Sequence, residues 1–361
     1  MITYEVPLVP GPTRVPQAVR EAYLTDYGSA DLEPEYSAEY ARVQAGLGAI
    51  LGTANKMAIM TGEGMLALWG ALKSCIVPGD RVLAVSTGVF GHGIGEMAEQ
   101  IGAQVRYVEF GYDHIADPDE VEKAIRQFRP KMVTAVHCET PSGTLNPVAE
   151  IGMLVRKYEV PLYYVDAVSS AAGVPVRADD WGIDLCLVGT QKALSAFPDL
   201  AIVAVSERAW EIIAQVNYPG YAALLPFRDA LERRWFPYTP SWASLAALHV
   251  AVKAVLNEGL ENVFNRHRTV AQATRDRLRA MGLELFPADE AACSPTVTAV
   301  KVPSHLTWQE LDRRLRERGV VMGGSLGPLE GKVFRIGHMG SQADMALVER
   351  GLEALREAIR K

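Results

Sequence analysis

The sequence predicts an α/β protein built on a mainly parallel sheet and followed by a smaller α+β domain. Two observations carry that expectation. Between residues 56 and 205, seven short and almost wholly apolar runs alternate with helical stretches. After about residue 245 this alternation gives way to long helical segments and isolated strands. Near-continuous apolar runs mark strands covered on both faces, and their alternation with helices marks parallel strands joined by helical crossovers.

The predicted strands are "KMAIMT" (56–61), "RVLAVST" (81–87), "QVRYVEF" (104–110), "MVTAVH" (132–137), "PLYYVD" (161–166), "DLCLVG" (184–189) and "LAIVAV" (200–205). Between them lie the helical stretches "GMLALWGALKS", "GHGIGEMAEQIG", "DPDEVEKAIRQF" and "PVAEIGMLVRKY". The third opens with Asp117 as a cap, Pro118 at the first helical position, and acids in its first turn. Beyond residue 245, "ASLAALHVAVKAVLNEGLENVFNRHRTVAQATRDRLRAMG" reads as one long helical stretch. "TVTAVKVP", a helix around "TWQELDRRLRERG", "VFRIGHMG" and a closing helix to Lys361 follow. The expected organisation is an N-terminal segment (1–15), a large domain (16–245) and a small C-terminal domain (246–361).

Composition excludes several function classes. At 49% hydrophobic and 22% charged, the 361 residues are those of a folded chain large enough for two domains. A net charge of -7 without a basic stripe argues against a nucleic-acid partner. No apolar run reaches membrane-helix length. The start "MITYEVPLVPGP" has Glu5 and no basic region, so no signal peptide is expected. Cys75, Cys138, Cys186 and Cys293 lie far apart among apolar neighbours and read as buried thiols, which makes a reducing cytoplasm the expected location. The histidines show no paired ligand spacing, so no metal is expected.

In open α/β sheets, ligands sit at the carboxyl ends of the strands. After "KMAIM" comes Thr61-Gly62-Glu63-Gly64-Met65, a turn opening a helix, which is an anion site or simply a tight turn. After "RVLAVST", "GVFGHGIGE" resembles a dinucleotide loop but places Glu96 where Gly or Ala belongs, which counts against a dehydrogenase. "CETPSGTLNP" supplies hydroxyls and a proline turn that face a ligand or cap the next helix. Asp166 ends "PLYYV", and an unpaired buried carboxylate is costly, so it either caps its own turn or meets a cationic partner. Lys192, in "DLCLVGTQKALSAFPDL", lies just past a buried strand. A loop lysine ordinarily extends to solvent, whereas one with a lowered pKa serves as a catalytic amine. Anion turn, aromatic (Phe90), acid and lysine at one sheet edge together match a pyridoxal cofactor.

The chain resembles the class V aminotransferases of fold type I. The resemblance rests on "VPGPTRVP", the Gly62–Gly64 turn, "HCETPSGTLNP", "VDAVSSAAG", "DLCLVGTQKAL", "YTPS" and "FRIGHMG". It implies a large domain with a seven-stranded sheet, a small C-terminal domain, a homodimer and pyridoxal 5'-phosphate as cofactor. It further implies that Lys192 carries the cofactor as a Schiff base, that Asp166 pairs with the pyridine nitrogen, and that Val168 and Phe90 enclose the ring. Thr140 is implied near the phenol oxygen, with Gln191 and the backbone of Gly64 and Met65 at the phosphate. Thr239 corresponds to a residue lent by the neighbouring subunit, while Arg335 and Gly11 fall in the substrate region, with Arg335 clamping the substrate carboxylate. The implied reaction moves an amino group from a small donor to a 2-oxo acid, pyruvate or glyoxylate. A pyridoxal-dependent lyase would keep Lys192 and Asp166 without needing the clamp.

Glu63 departs from the family, which usually places a small hydroxyl residue there. Family members that use unphosphorylated pyridoxamine with pyruvate resemble this chain in that Gly-Glu turn, but they carry a second arginine where this chain has Leu326. Two expectations follow. Either Glu63 faces the cofactor's 5' substituent and disfavours a phosphate, or it turns away and leaves the backbone N–H groups and Gln191 to the phosphate.

Overall fold

A computed structural model describes residues 4–360; residues 1–3 of the expected N-terminal segment and Lys361 of the closing helix lie outside them. After β1 (Val6–Leu8), the seven apolar runs form β2 (Lys56–Thr61), β3 (Arg81–Ser86), β4 (Gln104–Glu109), β5 (Met132–Val136), β8 (Leu162–Asp166), β9 (Leu185–Gly189) and β10 (Leu200–Val205). A short hairpin, β6 (Cys138–Glu139) and β7 (Thr144–Leu145), intervenes after β5. The seven make one sheet in the order β2-β10-β9-β8-β5-β3-β4. Only β10 runs antiparallel to its neighbours. Every residue of β5, β8, β9 and β10 is buried, as an apolar run covered on both faces requires. The edge strand β4 is the exception, half-buried inside and exposed at both ends, and it is the run richest in polar residues.

The helices of this region are α1 (Gln17–Tyr23), α2 (Pro34–Leu51), α3 (Gly64–Cys75), α4 (Val89–Gln100), α5 (Pro118–Phe128), α6 (Val148–Lys157), α7 (Glu207–Val216) and α8 (Ala230–Arg233). The Asp117–Pro118 start holds: the Asp117 carboxylate accepts the Asp119 N–H and caps α5. The segment resembling a dinucleotide loop lies largely within α4, where Glu96 faces His92 one turn away.

The long C-terminal stretch is two helices, α9 (Trp242–Glu258) and α10 (Leu260–Ala280), broken at Gly259 with φ +85°. Leu245, Leu248 and Val252 of α9 join the core of the large sheet, whereas Val270 and Leu278 of α10 join a second core. Packing therefore changes over at Gly259. The pattern marks the end of strand–helix alternation, and α9 continues to cover the sheet after that point.

The second core lies on a four-stranded sheet in the order β1-β12-β13-β11, made of β11 (Val297–Lys301), β12 (Val320–Gly324), β13 (Val333–Gly337) and β1. α11 (Trp308–Arg316) and α12 (Met345–Ala358) cover it. β1 pairs parallel with β12, Val6 opposite Val320. The N-terminal segment thus belongs to the small sheet, and residues 9–13 run from there toward the large one. Among the described residues no helix is long and apolar enough to cross a membrane.

Candidate active site

Each group singled out at a strand end reaches the carboxyl edge of the large sheet. β8 ends at Asp166, Lys192 lies three residues beyond β9, and α3 and α4 begin just past β2 and β3. Asp166 and Lys192 line one cavity of about 180 Å³, together with Glu63, Gly64, Met65, Phe90, Val168 and Gln191. Leu68, Cys138 and Ser169 complete its wall.

Asp166 is 6% exposed, and burial pushes its carboxyl up to about 6 against the pull of the Val168 N–H and the Lys192 charge. The Val168 N–H donates to Asp166 Oδ1 at 2.8 Å, and the second oxygen has no protein donor among the described residues. A carboxylate in this state suits a cationic ring nitrogen.

Lys192 donates from Nζ to the Pro10 carbonyl at 2.7 Å. Burial, reinforced by the Arg335 charge, lowers its ammonium to about 8, against the pull of Cys138, Asp166 and Glu63. Gly11 lies over the lysine stem with φ +96°, and a Cβ there would stand 2.6 Å from Lys192 Cδ, so only glycine fits. The Thr13 hydroxyl donates to the Lys192 carbonyl at 2.9 Å and fixes the loop from the same side.

Arg335, central in β13, is 8% exposed. Its Nε and Nη2 donate to the Gly324 carbonyl at 2.9 and 2.5 Å. No carboxylate lies within ion-pair distance of it among the described residues, and burial lowers its guanidinium to about 10. A buried guanidinium without an anion is costly, and a substrate carboxylate would offset that cost.

At the start of α3, Glu63 faces the helix that it precedes. Glu63 Oε1 accepts the Met65 N–H at 3.0 Å, and Oε2 accepts the Gln191 side-chain amide at 3.1 Å. The carboxylate caps the helix it precedes, as any acidic N-cap would, and so takes up two donors that the sequence assigned to a phosphate.

Thr140 is buried beside Glu139 but is not among the cavity's walls, and Thr239 is exposed in the segment after α8. Sequence reasoning missed Cys138 and Glu139. Cys138 Sγ donates to Ser294 Oγ at 3.2 Å, and burial pushes the thiol up to about 11. Glu139 is fully buried and accepts the N–H groups of Gly91 at 2.6 Å and Phe90 at 3.2 Å. Its signal was the one that exposed Asp166: an acid just past a buried strand.

Residues 10–328 match the family described as aminotransferase class-V. An uncharacterized aminotransferase of Methanocaldococcus jannaschii is 37% identical over 96% of this chain and 92% of its own. The pyridoxamine–pyruvate transaminase of Mesorhizobium japonicum is 36% identical over 91% of this chain and 85% of its own. The crystal structure of an alanine–glyoxylate aminotransferase from Nostoc superposes with a TM-score of 0.95 at 29% identity, covering 100% of this chain and 96% of that one.

Proposed function

The chain belongs to the class-V aminotransferases, a pyridoxal-phosphate-dependent family of fold type I, and from that premise we propose how its own residues perform the transfer of an amino group to a 2-oxo acid. It is an aminotransferase, and we assign pyruvate or glyoxylate as the acceptor. The observation that carries the assignment of roles is that Lys192 and Asp166 line one cavity, while Arg335 of the small sheet, with no carboxylate partner among the described residues, lies near enough to lower the Lys192 ammonium.

The cavity fits the ring of the cofactor, with the open oxygen of Asp166 for a protonated nitrogen and the half-buried Phe90 and Val168 for its faces. When bound, pyridoxal phosphate supplies a carbonyl that takes up the donor's amino group and a ring that accepts electrons. Asp166 holds the proton on the ring nitrogen. Lys192, whose neutral form is accessible near pH 8, would hold the cofactor's carbonyl and would move the proton at the substrate's α carbon. Arg335 grips the substrate carboxylate and orients that carbon toward Lys192. Thr239, exposed in one subunit, completes the phosphate end of its partner's site in a homodimer. We place the enzyme in the cytoplasm, on the strength of four unpaired, buried cysteines.

Glu63 favours a second reading in which the amino donor is pyridoxamine itself. Its carboxylate already holds the Met65 N–H and the Gln191 amide, so a 5'-hydroxyl suits this end of the cavity better than a dianion does. Spectroscopic half-reactions test both readings. An amino acid should bleach the visible band of the loaded enzyme, and pyruvate or glyoxylate should restore it. Turnover of free pyridoxamine with pyruvate would select the second reading. Ammonia release without an oxo-acid requirement would overturn both in favour of a lyase.

A further inference from the structure

α4 begins without a cap of its own. Its N-cap is Gly88, which has no side chain to accept the first N–H groups. Those groups belong to Phe90 and Gly91, the second and third helical positions, and both donate to one carboxylate from 48 and 49 residues further along the chain: Gly91 to Glu139 Oε1 at 2.6 Å and Phe90 to Oε2 at 3.2 Å. We propose that Glu139 is a positioning residue for the cofactor, capping α4 from the β6 strand and thereby holding the Phe90 ring against the cavity that contains Lys192 and Asp166.

Four observations support it. Glu139 is fully buried and has no cationic partner within ion-pair distance among the described residues, so the helix N-terminus is what offsets its charge. Burial pushes its carboxyl up to about 7, and the largest opposing pull comes from the Gly91 and Phe90 N–H groups. The approach is built on glycine, because a Cβ at Gly88 would lie 2.6 Å from Glu139 Cδ and one at Gly91 only 2.8 Å from the Val85 carbonyl. The carboxylate is also held from behind. The Glu139 carbonyl accepts the Gly143 N–H at 2.8 Å, which closes the β6–β7 hairpin. Its strand neighbour Cys138 points into the cavity, as alternation along a strand requires when Glu139 points to the helix. One hairpin therefore fixes the cavity wall and the helix carrying Phe90.

The inference rests on the pyridoxal reading, and the test separates the two. Glu139→Gln keeps one acceptor but turns an amide NH2 toward an N–H donor. It should raise the dissociation constant of pyridoxal 5'-phosphate for the apoenzyme by roughly tenfold and weaken the circular dichroism of the bound cofactor. Phe90→Ala should do the same, and the double variant should be no worse than Phe90→Ala alone. Glu139→Ala combined with Gly88→Asp, which moves the cap into the helix's own chain, should restore the cofactor constant lost in Glu139→Ala. A lowered melting temperature with unchanged cofactor constant and dichroism would overturn the proposal. So would additive losses in the double variant, or a failed rescue by Gly88→Asp in a folded protein. Absence of cofactor binding in the wild-type protein would instead reject the pyridoxal reading.

Discussion

The Gln191 side-chain amide donates to Glu63 at 3.1 Å, and the same carboxylate accepts the Met65 N–H at 3.0 Å. The donors at the start of α3 are thus engaged by a negative charge that belongs to the protein. At ~5 Å and an effective dielectric of ~20, a second unit negative charge costs roughly 3 kcal/mol beside it. Replacing Glu63 with Ser should tighten pyridoxal 5'-phosphate relative to pyridoxal on the order of a hundredfold. Equilibrium titration of the apoenzyme with both compounds measures the ratio, and an unchanged ratio would show that Glu63 does not set the choice.

Lys192 gives a pH signature. Burial first, and the neighbouring Arg335 charge second, disfavour its ammonium, so the amine is neutral above about 8, where an ordinary lysine is neutral only above 10.5. Capture of pyridoxal by the apoenzyme should rise with pH through about 8 and then level off. Between about 8 and 10.5 the unfolded chain binds a proton here that the folded chain does not, so this site's contribution to stability rises with pH over that window. Arg335→Leu removes the nearby positive charge and should move the capture midpoint upward. A midpoint at the ordinary lysine value in the wild type would contradict the account.

In the loaded enzyme, Arg335 should act on the substrate carboxylate. Arg335→Leu should raise KM for both amino and oxo acids by about tenfold to a hundredfold, with the visible spectrum of the loaded enzyme intact. Arg335→Lys, which keeps the charge but loses the planar fork, should fall between. Unchanged kinetics with carboxylate substrates would remove Arg335 from the site.

Assembly is open to a direct measurement. If Thr239 serves the partner's site, the active species has twice the 39.3 kDa chain mass in light scattering. Full activity from a monomer at the same concentration would contradict the shared site.

The central strands of the large sheet were legible because a strand buried on both faces is apolar throughout, whereas β4, half-buried at the edge, was legible from its place in the alternation. The edges were less legible. β1 is three residues long and is held by its pairing with β12, a contact no local pattern encodes. The break at Gly259 was hidden because the helical pattern resumes at once in α10, in a different core. Asp166 and Lys192 stood out as charges in apolar surroundings at strand ends. Glu139 carried the same signal, but its partners are backbone N–H groups 48 and 49 residues away, which no side chain announces. The direction of the Glu63 carboxylate was undetermined, because capping its own helix and facing a ligand require the same residue type at the same place.

The central claim is that Lys192 carries an amino-group transfer between an amino donor and a 2-oxo acid. Incubating the loaded enzyme with a ¹⁵N-labelled amino donor and pyruvate or glyoxylate, and following the label by mass spectrometry, tests it most directly. The account predicts ¹⁵N-alanine or ¹⁵N-glycine in equal amount to the oxidised donor, and none from Lys192→Ala. Label appearing as free ammonia, or transfer that survives Lys192→Ala at the wild-type rate, would contradict it.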